Sequence, residues 1–172
     1  MTEKHLVFGA RGAVGREIVK QLEEKNSDVY AQYFRSTSSH ENEIQIDLLD
    51  KSDTVKKSEG FAYVYLAVGF PYSSKSWKKS WPLAMQNIVK AAEVNGLRLI
   101  FLDNIYMYGH SPLPIPFDEE TGQNPPSQKG LVRKEVAGLF MQKIEENKIQ
   151  GLIARAPDFF GPRLYFVLHY AA

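Results

Sequence analysis

Gly9, Gly12 and Gly15 form a G-x-x-G-x-x-G run, and this spacing carries the clearest chemistry in the sequence. The apolar stretch Leu6-Val7-Phe8 precedes it, and Val14, Ile18, Val19 and Leu22 follow at helical spacing. A strand that turns through glycines into a helix start is a cradle for a pyrophosphate. The first N–H groups of a helix lack partners within it, and the positive end of its dipole lies there. Glycine lets the backbone turn tightly and lets a phosphate come close. Arg11, Ala13 and Val14 complete this turn and share its expected binding role.

A second group of residues bears on which dinucleotide would sit there. An acid at the end of strand two would hold a ribose 2′-hydroxyl. Here the chain reads Gln32-Tyr33-Phe34-Arg35-Ser36, with no acid. Arg35 lies about 20 residues beyond Gly15, where a 2′-phosphate would sit, and Arg11 can reach the same group. Arginine and serine are suitable donors to a phosphate. The pattern predicts NADP, with NAD as the alternative.

Other chemistries find little support. The chain has no cysteine, which excludes disulfides, thiolate metal sites and a cysteine nucleophile. His5, His40, His110 and His169 show no metal-ligand spacing, so no metal is expected. Neither a G-x-S-x-G elbow nor a G-x-x-x-x-G-K-S/T loop occurs. A formal net charge of +1 gives no case for nucleic acid or an anionic membrane. No apolar run approaches a membrane span, and the polar N-terminus is no signal peptide, so a cytoplasmic location is expected.

The elements that must position these residues alternate between strand and helix. Strands are expected at about 4–8, 29–34, 43–46, 61–68, 97–102 and 151–155. Helices are expected at 12–25, from Asp50 or Ser52, at 76–95 with Pro82 inside it, and at 128–147. Trp77 and Trp81 share a helix face and read as packing residues. A Pro-rich loop spans 109–127, on the carboxyl side of the sheet where ligands bind. The series predicts an α/β Rossmann fold: a doubly wound parallel sheet of order 3-2-1-4-5-6 with helices on both faces.

Several segments together resemble the extended and atypical short-chain dehydrogenase/reductases, the NAD(P)-dependent sugar epimerase/dehydratase group. Ile46-Asp47-Leu48-Leu49-Asp50 is similar to that family's D-L-x-D, which implies adenine contact by Asp47 and its neighbour Leu48. Tyr65-Leu66-Ala67-Val68-Gly69 resembles its H-L-A-A segment, which implies that Ala67, Val68 and Gly69 lie beside the ribose and nicotinamide. Met107-Tyr108-Gly109 resembles its V-Y-G. Residues 117–120 with Pro125-Pro126-Ser127 resemble its E-x-x-P-x-x-P-x-S loop. Residues 155–162 resemble its R-x-x-N-V-Y-G-P. The resemblance implies action on a hydroxyl or keto group of a sugar-nucleotide-like or other small substrate.

The catalytic positions depart from the family. Its Tyr-x-x-x-Lys pair, in which the tyrosine exchanges a proton and the lysine assists it, is absent. Aligning Pro125-Pro126-Ser127 puts Lys129 at the tyrosine, Arg133 at the lysine, and Asn104 at the serine or threonine. One reading makes Lys129 the acid/base, with Arg133 one helical turn away, Asn104 holding a substrate oxygen, and Tyr106 as a second proton donor. The other makes Lys129 and Arg133 a solvated or ribose-binding pair in a non-catalytic NADP-binding module or an inactive fragment. The Rossmann domain would occupy 1–162. Residues 163–172 form an apolar tail too short for the family's C-terminal substrate domain, and are expected to pack on the sheet edge or another subunit. The helices at 76–95 and 128–147 match those that pair in the family's dimers, so a homodimer is expected.

Overall fold

The computed structural model describes residues 3–34, 42–109 and 115–157. In chain order the elements are β1 (Lys4–Phe8), α1 (Ala13–Glu24), β2 (Asp28–Tyr33), β3 (Glu43–Gln45) and α2 (Lys51–Lys57). They continue with β4 (Tyr63–Leu66), α3 (Ser74–Asn95), β5 (Arg98–Asp103), α4 (Gln128–Glu145) and β6 (Gln150–Arg155). The strands form one six-stranded sheet of order β3-β2-β1-β4-β5-β6. All its pairings are parallel, with Val7 of β1 between Ala31 of β2 and Tyr65 of β4. The predicted fold and strand order are therefore those observed.

Alternation along the strands divides the core into two layers. Leu6, Phe8, Val64, Leu66, Leu99 and Phe101 face α3 and α4, where Trp81, Met85, Ile88, Val136 and Phe140 meet them. Val7 and Val29 face the other way, against Ile18, Val19 and Leu22 of α1. Each fully buried large apolar side chain contributes about 1.5–3 kcal/mol. Trp77 and Trp81 are buried in the first layer, as their shared helix face suggested.

Local chemistry sets the helix ends. Ser73 caps α3 by accepting from the Ser76 N–H at 3.1 Å, so the helix begins at Ser74 rather than Ser76, and it runs through Pro82. Gly96, at φ +69°, closes it in the left-handed conformation that glycine adopts without strain. Asp50 caps α2 by accepting from the Asp53 N–H at 2.9 Å, and Ser127 caps α4 through the Gly130 N–H at 3.0 Å. Strand β4 is shorter than its apolar run: Ala67 still donates its N–H to the Phe8 carbonyl at 3.1 Å, but with Val68 it lies past the strand's end and lines a cavity.

Among the described residues, no helix is long and apolar enough to cross a membrane, and no cluster of histidine and acidic residues could hold a metal ion. Arg35, Ser36, His40, His110, the end of the 155–162 motif and the 163–172 tail lie outside the described residues.

Candidate functional site

The glycine turn joins β1 to α1 at the carboxyl end of the sheet. Gly9 has φ +77°, and a Cβ there would lie 2.6 Å from the Ala67 carbonyl oxygen, so only glycine allows β1 to leave the sheet beside β4. Gly12 donates its N–H to the Gly9 carbonyl at 2.9 Å and serves as the N-cap of α1. A Cβ on Gly15 would collide with the Gly9 backbone, so this glycine lets the helix start press on the turn. Ala13, Val14 and Gly15 are the opening residues of α1, and their N-cap, Gly12, has no side chain to cap the helix.

A cavity of about 780 Å³ opens beside this turn. Ligand cavities run to about 300–1,000 Å³, so a dinucleotide-sized molecule is within its range. Of the residues singled out from the sequence, Gly9, Arg11, Gly12, Asp47, Leu48, Ala67, Val68 and Gly69 all line it. Asp47 is fixed by its own turn: its Oδ1 accepts from the Leu49 N–H at 2.9 Å, and its N–H donates to Asp53 Oδ2 at 2.7 Å. Leu48 is anchored from α3, where Asn87 Nδ2 donates to its carbonyl at 2.9 Å.

Two lining residues at the end of β2 were not singled out as binders. Gln32 is buried and ties β2 to the residues that directly follow β1 and β3. Its Nε2 donates to the Ile46 carbonyl at 2.6 Å and its Oε1 accepts from the Gly9 N–H at 3.3 Å. Tyr33 lies under Arg11, whose guanidinium sits 3.9 Å from the ring centroid. Burial pushes the Tyr33 hydroxyl above its ordinary pKa and Glu43 of β3 adds to that, while Arg11 opposes it. A period-two strand pattern marks such residues as wall, but not which of them reach a ligand.

The four expected catalytic positions are brought to the ends of β5 and α4, but not into one group. Arg133 is 2% exposed. Its Nε donates to Asp103 Oδ1 at 2.6 Å, and its Nη2 pairs with the same carboxylate. Its guanidinium lies 4.1 Å from the Trp81 ring and 4.9 Å from Phe101. Burial pulls its pKa below the ordinary arginine value and Asp103 opposes this. A guanidinium keeps its proton at neutral pH all the same. Of the expected solvated or ribose-binding pair of Lys129 and Arg133, Arg133 is not solvated, because it is buried against Asp103. Arg155 approaches the other oxygen of Asp103 at 3.6 Å and donates to the Tyr108 hydroxyl at 2.7 Å.

Lys129 turns the other way. Its ammonium lies 3.1 Å from the ring centroid of Tyr72, in the segment between β4 and α3, and 5.8 Å from that of Trp77. The Tyr72 and Tyr106 hydroxyls are 3.3 Å apart, and the Tyr106 ring stacks on Trp77 at 6.1 Å. Gly130 makes this possible: a Cβ there would sit 2.5 Å from the Tyr106 carbonyl oxygen, so α4 starts hard against that loop. Asn104 uses its Oδ1 to accept from the Tyr106 N–H at 3.0 Å, which shapes the loop. Tyr72 had no signal beyond its place next to Pro71, a residue that lines the cavity.

Comparison with known proteins gives one family and a consistent set of folds. The NAD dependent epimerase/dehydratase family matches residues 5–170. No curated protein matches the chain in sequence. Among solved structures, a UDP-N-acetylglucosamine 4-epimerase from Bacillus cereus superposes with a TM-score of 0.83 at 13% identity, covering 95% of this chain and 62% of that one. The UDP-glucose 4-epimerase of Thermus thermophilus, in complex with NAD, gives 0.79 at 20% identity, with 93% and 57% covered. Bordetella bronchiseptica WbmH, in complex with NAD+, gives 0.78 at 18% identity, with 95% and 59% covered. The chain thus spans about three fifths of the length of these structures, and the likeness is one of fold.

Proposed function

The chain belongs to the NAD dependent epimerase/dehydratase family, and from that premise we propose that it binds NADP(H) in the glycine-turn cleft and interconverts hydroxyl and keto groups on a sugar-type substrate in the cytoplasm. The observation that carries this reading is the cavity itself, whose wall includes the glycine turn, the Asp47-Leu48 turn and the Ala67–Gly69 segment together. Gly9, Gly12 and the α1 start formed by Ala13, Val14 and Gly15 would hold the pyrophosphate. Asp47 and Leu48 would meet the adenine, and Ala67, Val68 and Gly69 the ribose and nicotinamide. Arg11, with Arg35 and Ser36, would hold a 2′-phosphate. The nicotinamide supplies the acceptor and donor of hydride when bound.

We place the proton-transfer site at the end of the cleft where Lys129 and Tyr106 lie, with Asn104 shaping the loop beside them. Arg133 acts at a distance, by holding the end of β5. A non-catalytic NADP-binding module is the second reading, and one observation favours it: the residue aligned with the family's lysine is locked to Asp103. A homodimer through α3 and α4 is also proposed. Their surfaces carry the exposed Leu83, Leu131 and Met141, and sedimentation of Leu83→Glu against the parent chain tests it.

Titration of the chain with NADPH and with NADH, followed by ligand fluorescence, tests the cofactor reading. Tight NADPH and weak NADH binding is the expected result. Binding of neither overturns it. Turnover on a panel of free and nucleotide-linked sugars then separates the enzyme from the non-catalytic module.

A further inference from the structure

We propose that Tyr72 is the phenol of the proton-transfer site and that Lys129 is its cation, a tyrosine–lysine pair assembled from two separate elements. This inference rests on the hydroxyl–keto reading above. The sequence offers no tyrosine one helical turn before a lysine on α4, yet the fold sets a lysine against a tyrosine at the same end of the sheet.

Four observations converge on Tyr72. The Lys129 ammonium rests 3.1 Å from its ring centroid. Its hydroxyl lies 3.3 Å from that of Tyr106. Trp77 abuts its ring edge-on at 5.6 Å, which holds the ring in place. It directly follows the cavity-lining run Gly69-Phe70-Pro71, and the residue is 48% exposed.

The chemistry follows from these groups. A phenol oxygen that gives up its proton becomes negative. The ammonium across the ring meets that charge, and the Tyr106 hydroxyl can donate to the same oxygen. In the oxidising direction, Tyr72 Oη takes the proton of a substrate hydroxyl. The carbon bearing that hydroxyl would be oxidised to a keto group, a bound nicotinamide supplying the hydride acceptor. In the reducing direction Tyr72 returns the proton to the new hydroxyl oxygen. Lys129 transfers no proton in this scheme; it positions and balances charge.

The test pairs a chemical readout with a kinetic one on the whole chain. Tetranitromethane nitrates phenolates, and mass spectrometry resolves the rate at each tyrosine. Nitration of Tyr72 is expected to slow several-fold in Lys129→Met and to recover in Lys129→Arg, while Tyr30 is unchanged. With any sugar of the panel that the parent chain oxidises, Tyr72→Phe is expected to lose turnover by about a hundredfold or more with NADPH affinity kept. A Tyr72 nitration rate indifferent to Lys129→Met overturns the pair, whatever the panel gives. Full turnover in Tyr72→Phe overturns the catalytic role of Tyr72 and leaves the hydroxyl–keto reading standing. Bound NADPH with no turnover of any sugar by the parent chain overturns that reading, and the catalytic role with it.

Discussion

Arg133 of α4 and Asp103 at the end of β5 form a buried ion pair, with Nε donating to Oδ1 at 2.6 Å and both side chains almost wholly out of water. The pair pins the fourth helix to the fifth strand, and Trp81 and Phe101 cover the guanidinium. A side chain held this way cannot swing into the cleft. Arg133 is thus part of the core, and Lys129, one turn earlier on the helix, is left on the side of Tyr72.

Removing one partner of that pair should therefore cost stability more than binding. Asp103→Ala leaves a buried guanidinium without its carboxylate, and urea unfolding should register a loss of about 3–5 kcal/mol. Asp103→Leu combined with Arg133→Met removes both charges and should cost clearly less than the single change. An equal or larger loss in the double variant would show that the pair is worth more than the packing around it.

Gly9→Ala tests the turn. The new side chain would meet the Ala67 carbonyl at 2.6 Å and would have to hold φ +77°. A loss of about 1–3 kcal/mol in stability is expected from the strain, together with weaker NADPH binding in fluorescence titration. Gly138→Ala is the control. It sits within α4 with nothing in reach of a Cβ, and should gain about 0.5–1 kcal/mol.

The contrast between these sites shows what the residues reveal by themselves. Strand runs such as Leu6-Val7-Phe8, the helical spacing after Gly12, and the cap at Ser127 are local signals, so the order of elements and the sheet topology follow from them. The lining of the cleft was legible in part: the glycine turn left a local motif and the Asp47-Leu48 and Ala67–Gly69 segments a family resemblance, whereas Gln32, Tyr33, Phe70 and Pro71 left neither. The fate of Arg133 was not. Whether a charge on a helix faces water or the core depends on a partner such as Asp103, which is thirty residues away in the chain. Tyr72 was equally hidden, since its meeting with Lys129 joins the β4–α3 segment to the start of α4.

His5 gives the fold a dependence on pH. Its ring stacks on Tyr63 at 4.8 Å, and its Nδ1 lies 3.2 Å from the Tyr65 hydroxyl. Burial lowers its pKa from 6.5, with Glu3 and Asp28 opposing. The unfolded chain thus binds this proton more readily than the folded one. Stability should be full above about pH 6.5 and should fall as the pH drops through the folded value below it. Urea midpoints at about pH 7.5 and about pH 5.5 measure this. His5→Phe should flatten the dependence, and an unchanged slope in that variant would assign it to other groups.

Arg11 is the residue at which the NADP(H) proposal can be tested against NAD(H). Its guanidinium is stacked at 3.9 Å on Tyr33, both residues line the cavity, and the end of β2 supplies no acid for a ribose hydroxyl among the described residues. A planar cation held on a ring is already ordered, so little freedom is lost when it meets a phosphate. Charge-assisted bonds of this kind are worth about 1.5–3 kcal/mol, or roughly tenfold to a hundredfold in affinity. Arg11→Ala should weaken NADPH by that factor and leave NADH nearly unchanged. Arg11→Lys should fall between the two, since it keeps the charge and loses the fork. Raising the salt should reduce the NADPH preference of the parent chain and have little effect in Arg11→Ala. Equal losses for both nucleotides would instead place Arg11 on the pyrophosphate that they share.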